Sequence, residues 1–421
     1  MDRNGELPKD HPRPLKRLST PPPRRHHRQS PSTLKIKILL LLLAASLLGA
    51  EPSDGLAPEV AGLNAAAVSY ALEAKLPDLE KPFLSTKPQE LKDGLTVGEL
   101  QGAQKETVLK FAHEIADGKH GEIDSLLIAH HGQLLFESYY RRGRQNYPHY
   151  QMSITKSYTA MAVGRAIQLG YLKMSDLDRP VYSFLNELQP AKFVAGAKDV
   201  TLAHVMNMKS GVRIDDTKIG ELVKNPAALK GQGQIQGYFQ HSAPIPAAPR
   251  TFKYQSSDPS MAMQVVQATV PGSAAEFIRK ELFGKLGITN YNWETDTVSG
   301  LPKSAAGAGV LSRDMVKWGL LVLDKGKWHG EQLIPAEYVA KATSRINENS
   351  DTNGYGYFWW TDDFKIGDKS YHAMEGRGAG GQFIFTFPEA DLVVVVTAHQ
   401  KGMGSMLKNL PPALLPAFLG R

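Results

Sequence analysis

Runs of apolar residues divide the chain into strand-rich ends and a helical middle. Residues 125–130 and 133–139 are apolar runs of strand length, and the His131-Gly132 pair between them predicts a β-hairpin. Four more runs near the C-terminus predict strands at 355–360, 371–375, 382–387 and 392–398. The sequence therefore places strands at both ends of the chain.

Helical spacing of apolar residues is clearest over 153–169, where Gly170 follows as a C-cap. A helical stretch is also predicted over 99–116, and a terminal helix from about Ser405. The middle of the chain carries helical segments separated by Pro and Gly loops, at 202–208, 260–268 and 274–286.

These elements predict a fold that mixes helices and strands, in the broad α/β class, and of the α+β type because the sheet is antiparallel. We expect an antiparallel sheet built from both ends of the chain and flanked by helices, with a mostly helical subdomain inserted at about 175–300. The predicted organisation is a signal or disordered segment over 1–50, a linker and helical lead-in over 51–115, and the main domain over 116–421.

The positive charge of the chain is confined to its N-terminus. Residues 1–37 carry ten basic and three acidic side chains, which accounts for the whole net charge of +7. The remainder is formally neutral, so we expect no nucleic-acid partner. The chain contains no Cys, which excludes disulfides and cysteine-ligated zinc.

An apolar run at 38–48 follows this basic segment, and the small residues Gly49 and Ala50 come after it. The order resembles a secretory signal, and the run is shorter than the roughly 20 residues of a membrane span. We expect a periplasmic or secreted protein that meets the membrane only transiently through this segment. A retained membrane anchor is the alternative.

Ser153 and Lys156 carry the chemistry that the sequence suggests first. A serine hydroxyl is a weak nucleophile until a base removes its proton. If Ser153 opens a helix, Lys156 lies one turn along the same face and its amine can reach the hydroxyl. Burial would lower the pKa of that amine and let it act as the base.

The Ser-x-x-Lys spacing is weak when taken alone, because it also occurs at Ser32/Lys35 and Ser405/Lys408. An N-cap serine and a solvated lysine are the structural alternatives for Ser153 and Lys156. The predicted hairpin before Ser153 and the Gly-closed apolar helix after it favour this pair over the other two.

Two later segments are candidates for the same site. Tyr254-Gln255-Ser256 precedes a helical run, and the phenol could relay a proton to the leaving group. The Gly-rich segment 376–382 precedes an apolar run, and we expect it to enter an edge strand whose amide donates to an oxyanion. Its G-x-G-x-x-G match is no dinucleotide fingerprint, because it leads into a strand.

These three elements resemble the motifs of the serine β-lactamase and penicillin-binding-protein superfamily, in which a Ser-x-x-Lys helix is joined by Tyr-x-Asn and Lys-Thr-Gly. The similarity extends over about 121–399 and includes VTLAHVMNMKSGV at 200–212, GAGVLSRDMVKWGLLVLDKGKWHGEQLI at 307–334 and GYGYFWW at 354–360. The last two segments and the GAGGQ turn are similar to the class C branch, especially its esterases and 6-aminohexanoate-dimer hydrolases.

The resemblance implies a role for each matching residue. Ser153 would be acylated, Lys156 would be its base and Tyr254 would be the catalytic tyrosine, while the amides of Ser153 and Ala379 would form the oxyanion hole. It further implies oxyanion or substrate-binding positions at Gly378, Ser256 and Arg377.

Two departures from the family pattern narrow the expected activity. Ser256 stands where Asn is usual, and Gly376-Arg377-Gly378 replaces Lys-Thr-Gly, which removes the expected partner of a β-lactam carboxylate unless Arg377 partly replaces its charge. We therefore expect hydrolysis of a small ester or amide. The alternatives are β-lactamase or D-alanyl peptidase activity, and a non-catalytic envelope protein of the penicillin-binding type.

Other functional classes find little support in the sequence. The thirteen His residues form no H-E-x-x-H motif, so we expect neither a metal nor another cofactor. The absence of G-x-S-x-G argues against an α/β-hydrolase. Of Trp359 and Trp360, at most one is expected to face a cleft, and His130-His131 is expected to be solvated at the hairpin. The oligomeric state is left open.

Overall fold

The computed structural model describes residues 55–420, and its strands lie near both ends of this range. In chain order they are β1 (Phe83–Ser85), β2 (Thr96–Val97), β3 (Ile123–His130), β4 (Gln133–Tyr139), β5 (His149–Tyr150), β6 (Tyr291–Trp293), β7 (Ala308–Val310), β8 (Lys327–Trp328), β9 (Glu331–Gln332), β10 (Asn347–Glu348), β11 (Asn353–Tyr355), β12 (Trp360–Ile366), β13 (Lys369–Gly378), β14 (Gln382–Phe387) and β15 (Leu392–Ala398).

Ten of these strands form one sheet, in the order β1-β4-β3-β15-β14-β13-β12-β11-β10. Neighbours along this path are antiparallel, and β2 pairs in parallel with β4 at one edge. Since β3 pairs with β15, strands from the two ends of the chain meet in the middle of the sheet. The predicted antiparallel sheet built from both ends of the chain is confirmed. Two small sheets, β5-β7-β6 and β8-β9, lie outside it.

Most of the α-helices lie between β5 and β10; α1 and α2 precede β3, and α11 follows β15. They are α1 (Tyr70–Glu73), α2 (Gly102–Ala116), α3 (Ile154–Gln168), α4 (Leu202–Met206), α5 (Asp216–Leu222), α6 (Gly233–His241), α7 (Ser257–Thr269), α8 (Ala274–Phe277), α9 (Ser312–Leu323), α10 (Ala336–Ala342) and α11 (Gly404–Leu414). Between α3 and β6 the chain forms α-, 3₁₀- and π-helical segments and no strand, as the predicted helical insertion requires.

Hydrophobic cores lie on both faces of the large sheet. Val393 and Val395 on β15 face the core that contains α3, α7 and α9, while the alternate residues Leu392, Val394 and Val396 face the core built with α2 and α11. Helix α9 packs closely on β14 and β15, because a Cβ at Gly319 would lie only 2.4 Å from Val393. The sheet is therefore a layer between helices.

Three predicted elements differ from those observed. The strand predicted at 355–360 is wrong: β11 ends at Tyr355 and β12 begins at Trp360, with a turn between them in which Phe358 has a φ of 59°. The Phe358 amide donates to the carbonyl of Met206 on α4, and its carbonyl accepts from the hydroxyl of Ser157 on α3. The backbone of Phe358 is therefore hydrogen-bonded to helices and not to a neighbouring strand. The helix predicted at 274–286 is α8 followed by a π-helix, Ile278–Phe283, and the one predicted from 99 begins at Gly102.

The apolar run at 38–48 and the Ser32/Lys35 pair lie outside the described residues. Over 55–420, no helix combines the length and the apolar character that crossing a membrane requires.

Candidate active site

Ser153 lies in the turn that leads into α3, and its hydroxyl does not cap that helix. The preceding residue, Met152, has a φ of 48°, a left-handed conformation that costs a residue with a side chain roughly 1–2 kcal/mol. The Ser153 hydroxyl instead accepts a hydrogen bond from Lys156 Nζ at 3.0 Å. This geometry rules out the plain N-cap alternative for Ser153.

Lys156 is buried one helical turn beyond Ser153, with 3% of the residue exposed. Its amine donates to Ser153 Oγ and, at 2.7 Å, to the carbonyl oxygen of Ala305. Among residues 55–420 no carboxylate forms an ion pair with it. Burial therefore lowers the pKa of Lys156 to about 8, so that a substantial fraction is neutral near physiological pH.

The start of α3 is held by the backbone around Ala305. The Thr155 hydroxyl accepts from the amide of Ala308 at 3.2 Å, and the Thr159 hydroxyl donates to the carbonyl of Ser304 at 3.2 Å. These contacts fix the segment whose carbonyl binds the Lys156 amine. The lysine is thus oriented by the same elements that bury it.

Tyr254 lies on the open side of Lys156 and completes a three-residue cluster. Its ring centroid is 4.7 Å from Lys156 Nζ, and its phenol is close enough to Ser153 for that residue to lower the phenol pKa. The residue is 39% exposed, so it also forms part of the cleft surface. Desolvation raises the pKa of the phenol against the opposing effects of Ser153 and Arg377, so Tyr254 is neutral at pH 7.

A buried carboxylate that sequence reasoning missed holds the segment after Tyr254. Asp258 accepts hydrogen bonds from the Gln255 amide at 2.5 Å and the Ser210 hydroxyl at 2.7 Å. Burial raises the pKa of Asp258 to about 6, although these donors act in the opposite direction. Ser210 lies in the segment 200–212 that carries the family resemblance, and this resemblance was the sequence signal that could have pointed to the Ser210–Asp258 contact. Ser256 is exposed at the start of α7 and its side chain does not cap that helix.

The Gly-rich segment is placed differently from the prediction. Gly376 to Gly378 form the last residues of β13, an inner strand between β12 and β14, and not the entrance to an edge strand. A Cβ at Gly378 would lie 2.4 Å from the carbonyl oxygen of Gln151, so only glycine allows this approach to the turn before Ser153. Ala379 follows it, exposed, at the start of the β13–β14 turn.

Arg377 is 8% exposed and is engaged by two carboxylates. Its guanidinium donates to Asp362 and, at 2.5 Å, to Glu375, and it lies 4.9 Å from the ring centroid of Trp360. Burial raises the pKa of Glu375 to about 7, against the opposing effect of Arg377. With two acidic partners, Arg377 is a poor substitute for the free lysine of Lys-Thr-Gly.

Aromatic side chains form one wall of the cleft next to Tyr254. The ring of Trp360 lies 5.6 Å from that of Tyr254, and Tyr355 and Phe252 contact Trp360 in turn. Trp359 is fully buried, while Trp360 is only partly buried. The expectation that at most one of the two tryptophans faces a cleft agrees with this arrangement.

Two cavities adjoin this cluster. One, of about 280 Å³, is lined by Ala305 and by polar residues that include Tyr150, Asp296 and Lys303. The other, of about 450 Å³, reaches Gln255 and Ser256 and is lined by apolar side chains from α5 and its neighbours, namely Val212, Ile214, Ile219, Leu222, Val223 and Leu229. Arg213, Asp216 and Lys253 also line this second cavity, which therefore lies beside the segment that follows Tyr254.

The sheet between helices and the contact of Ser153 with the buried Lys156 are features of the serine β-lactamases and penicillin-binding proteins. A model of the Beta-lactamase family matches residues 116–416, and the chain belongs to that family. The predicted superfamily is thereby confirmed, and with it membership of a superfamily of serine hydrolases.

Individual relatives are distant. An uncharacterised protein of Alkalihalophilus pseudofirmus is 23% identical over 266 residues, covering 56% of this chain and 70% of its own. A putative 6-aminohexanoate-dimer hydrolase from Bacillus anthracis shares 17% identity with a TM-score of 0.58, over 78% of this chain and 85% of that one. A class C β-lactamase shares 15% identity with a TM-score of 0.57, over 76% and 97%. At such identities these structures establish the fold alone.

Proposed function

We propose that this protein hydrolyses a small ester or amide through an acyl-enzyme at Ser153, with Lys156 as the base. The observation that carries the proposal is the 3.0 Å contact between Lys156 Nζ and Ser153 Oγ, made by an amine that is 3% exposed. A buried amine with a pKa of about 8 can accept the hydroxyl proton at neutral pH.

In the proposed reaction, neutral Lys156 takes the proton of Ser153 as the hydroxyl oxygen attacks the substrate carbonyl. The amides of Ser153 and Ala379 donate to the oxygen that becomes negative. Collapse of the tetrahedral intermediate breaks the bond to the leaving group, which receives the proton of Lys156 through the Tyr254 phenol. Water then attacks the acyl carbon and gives a proton to Lys156, and Lys156 passes it to the Ser153 oxygen as the acyl bond breaks.

The engagement of Arg377 favours a substrate that needs no carboxylate-binding cation on β13. Arg377 is already bound by Asp362 and Glu375, and the cavity that reaches Gln255 and Ser256 offers aliphatic side chains together with Arg213 and Lys253. A β-lactam carboxylate would meet no free cation from β13, whereas a simple ester needs none. We therefore place esterase or amidase activity before β-lactamase or D-alanyl peptidase activity.

The test compares turnover of p-nitrophenyl butyrate with turnover of a chromogenic cephalosporin. We expect kcat/KM for the ester to exceed that for the lactam by at least about a hundredfold, a difference of about 2.7 kcal/mol in transition-state binding. Preference for the lactam would assign the protein to the β-lactamases instead. No turnover together with no covalent adduct from a fluorophosphonate would assign it to the non-catalytic binding proteins.

A further inference from the structure

Three side chains that are far apart in sequence meet in the interior behind the β13–β14 turn. Glu73 at the end of α1, His149 on β5 and His399 just after β15 each offer one possible metal-ligand atom within 4.8 Å of the others. The side chains of Glu73, His149 and His399 are 3%, 5% and 4% exposed. Glu73 precedes residues 116–416, which match the family model, so one of the three side chains comes from outside the matched region.

His399 is oriented by a carboxylate on its far side. Its Nδ1 lies 2.7 Å from Asp124 Oδ2, and a carboxylate only accepts, so Nδ1 carries the proton. In the neutral imidazole this leaves a lone pair on Nε2, which is buried without a hydrogen-bond partner among the described residues. Nε2 lies 3.8 Å from Glu73 Oε2, so two acceptors face one another.

His149 has the same arrangement on the other side of Glu73. Its Nε2 lies 2.5 Å from Gln382 Oε1, an atom that also accepts from the Ala398 amide, while Gln382 Nε2 donates to the Ala398 carbonyl. These contacts fix the amide of Gln382, so Nε2 of His149 carries the proton. Its Nδ1 faces Glu73 Oε1 in direct contact.

We propose that Glu73, His149 and His399 bind a divalent transition-metal ion of the zinc type. Both imidazoles donate their outer N–H to a fixed acceptor and direct the inner nitrogen at one carboxylate, which is the way metal-bound histidines are held in proteins. Two imidazole nitrogens and one carboxylate suit Zn²⁺, at distances of about 2.0–2.2 Å. Opening the contact between His149 and Glu73 by small side-chain rotations makes room for the ion.

The ion would have a structural role rather than a part in the reaction. It would join α1 to β5 and to the end of β15, next to Gln382 at the start of β14. Because Gln382 follows the turn that contains Ala379, the ion would brace that turn from behind.

The first experiment measures zinc on the untagged full chain after chelator treatment, reloading with Zn²⁺ and gel filtration. We expect about one Zn²⁺ per chain in the wild type and in a His113→Gln control, which changes a partly exposed histidine on α2. Glu73→Gln and His399→Gln should lose the ion. Asp124→Asn should keep it with an affinity about 10–100-fold weaker, because Asp124 acts through His399.

Thermal unfolding separates loss of the metal from loss of the fold. Zn²⁺ should raise the Tm of the wild type and of His113→Gln, but not that of Glu73→Gln. Should the variants fail to fold, Co²⁺ added to the chelated wild type should give the visible absorption of a tetrahedral site, which Zn²⁺ then abolishes. The proposal is overturned if the wild type binds no stoichiometric Zn²⁺, or if the Glu73 and His399 variants bind it as tightly as the wild type. None of these measurements depends on hydrolytic activity.

Discussion

Two Ser-x-x-Lys pairs with the same spacing occupy very different places in this structure. Ser153 and Lys156 lie at the start of α3, where the amine is buried and contacts the hydroxyl. Ser405 and Lys408 lie on α11, and both are exposed. Spacing brings a lysine to the same helix face as a serine, but only burial lowers the pKa of the amine enough to make it a base.

The packing of the two helices explains the difference. Every residue of α3 from Ile154 to Ala166 is buried, because the helix runs between the sheet and the helical region. Helix α11 is amphipathic and covers one face of the sheet with Met406, Leu410 and Leu414, so its polar face, with Ser405 and Lys408, meets solvent.

The largest difference between the two pairs is expected when the serine hydroxyl of each pair is removed in a separate variant. Ser153→Ala should lower kcat for p-nitrophenyl butyrate by at least about a thousandfold, since the nucleophile is lost. Ser405→Ala should leave kcat unchanged. Steady-state kinetics of the two purified variants make the comparison, and equal losses at both positions would refute the assignment of Ser153.

Replacing the lysine of each pair in turn should also give different kcat values, but the difference should be smaller than for the serines. Lys156→Ala should lower kcat by about 10²–10⁴-fold, the usual contribution of a general base, and Lys408→Ala should have no effect. Lys156→Arg keeps the charge and should be as inactive as Lys156→Ala, because a guanidinium stays protonated. An active arginine variant would show that charge, and not basicity, is what this position supplies.

Tyr254→Phe should have an intermediate effect. Loss of the phenol removes the proposed proton relay but leaves the nucleophile and the base, so we expect kcat to fall by about a hundredfold with KM little changed. Tyr171→Phe, at an exposed tyrosine just beyond the C-terminal end of α3, is the matched control. A wild-type kcat in Tyr254→Phe would remove the tyrosine from the mechanism.

The smallest effect is expected at Asp258, which positions Gln255 and Ser210 without reaching Ser153. Asp258→Asn replaces an acceptor by a partial donor, so it should lower the free energy of unfolding by about 1–3 kcal/mol. Activity should fall less than tenfold, with Lys156 still fixed by Ala305. Urea unfolding and kcat/KM measured on one preparation test both parts, and an unchanged stability would contradict this role.

Local patterns account for the parts of the fold that the sequence predicts well. The helix after Ser153 follows from apolar spacing and Gly170, and the β3–β4 hairpin follows from two apolar runs around His131-Gly132. The same reasoning fails at 355–360, because the turn there is held by hydrogen bonds to Ala342, Met206 and Ser157. A tertiary contact of that kind leaves no periodic signal.

The candidate site likewise contains contacts that the sequence predicts and contacts that only the tertiary structure shows. Ser153 and Lys156 share one helical turn, so their contact is predictable, whereas the binding of Arg377 by Asp362 and Glu375 depends on strand register. The cluster of Glu73, His149 and His399 is still more remote from sequence patterns, since its members come from three separate elements. Absence of a metal motif along the chain therefore says little about metal ligands brought together by the fold.

The central claim is that Lys156 must be neutral to activate Ser153, and the pH dependence of covalent modification tests it most directly. The rate of reaction with a fluorophosphonate, with the adduct located by peptide mass, should rise about tenfold per pH unit and level off above a pKa of about 8. The adduct should lie on Ser153. A rate independent of pH between about 6 and 9, or an adduct on Ser405, would contradict the account.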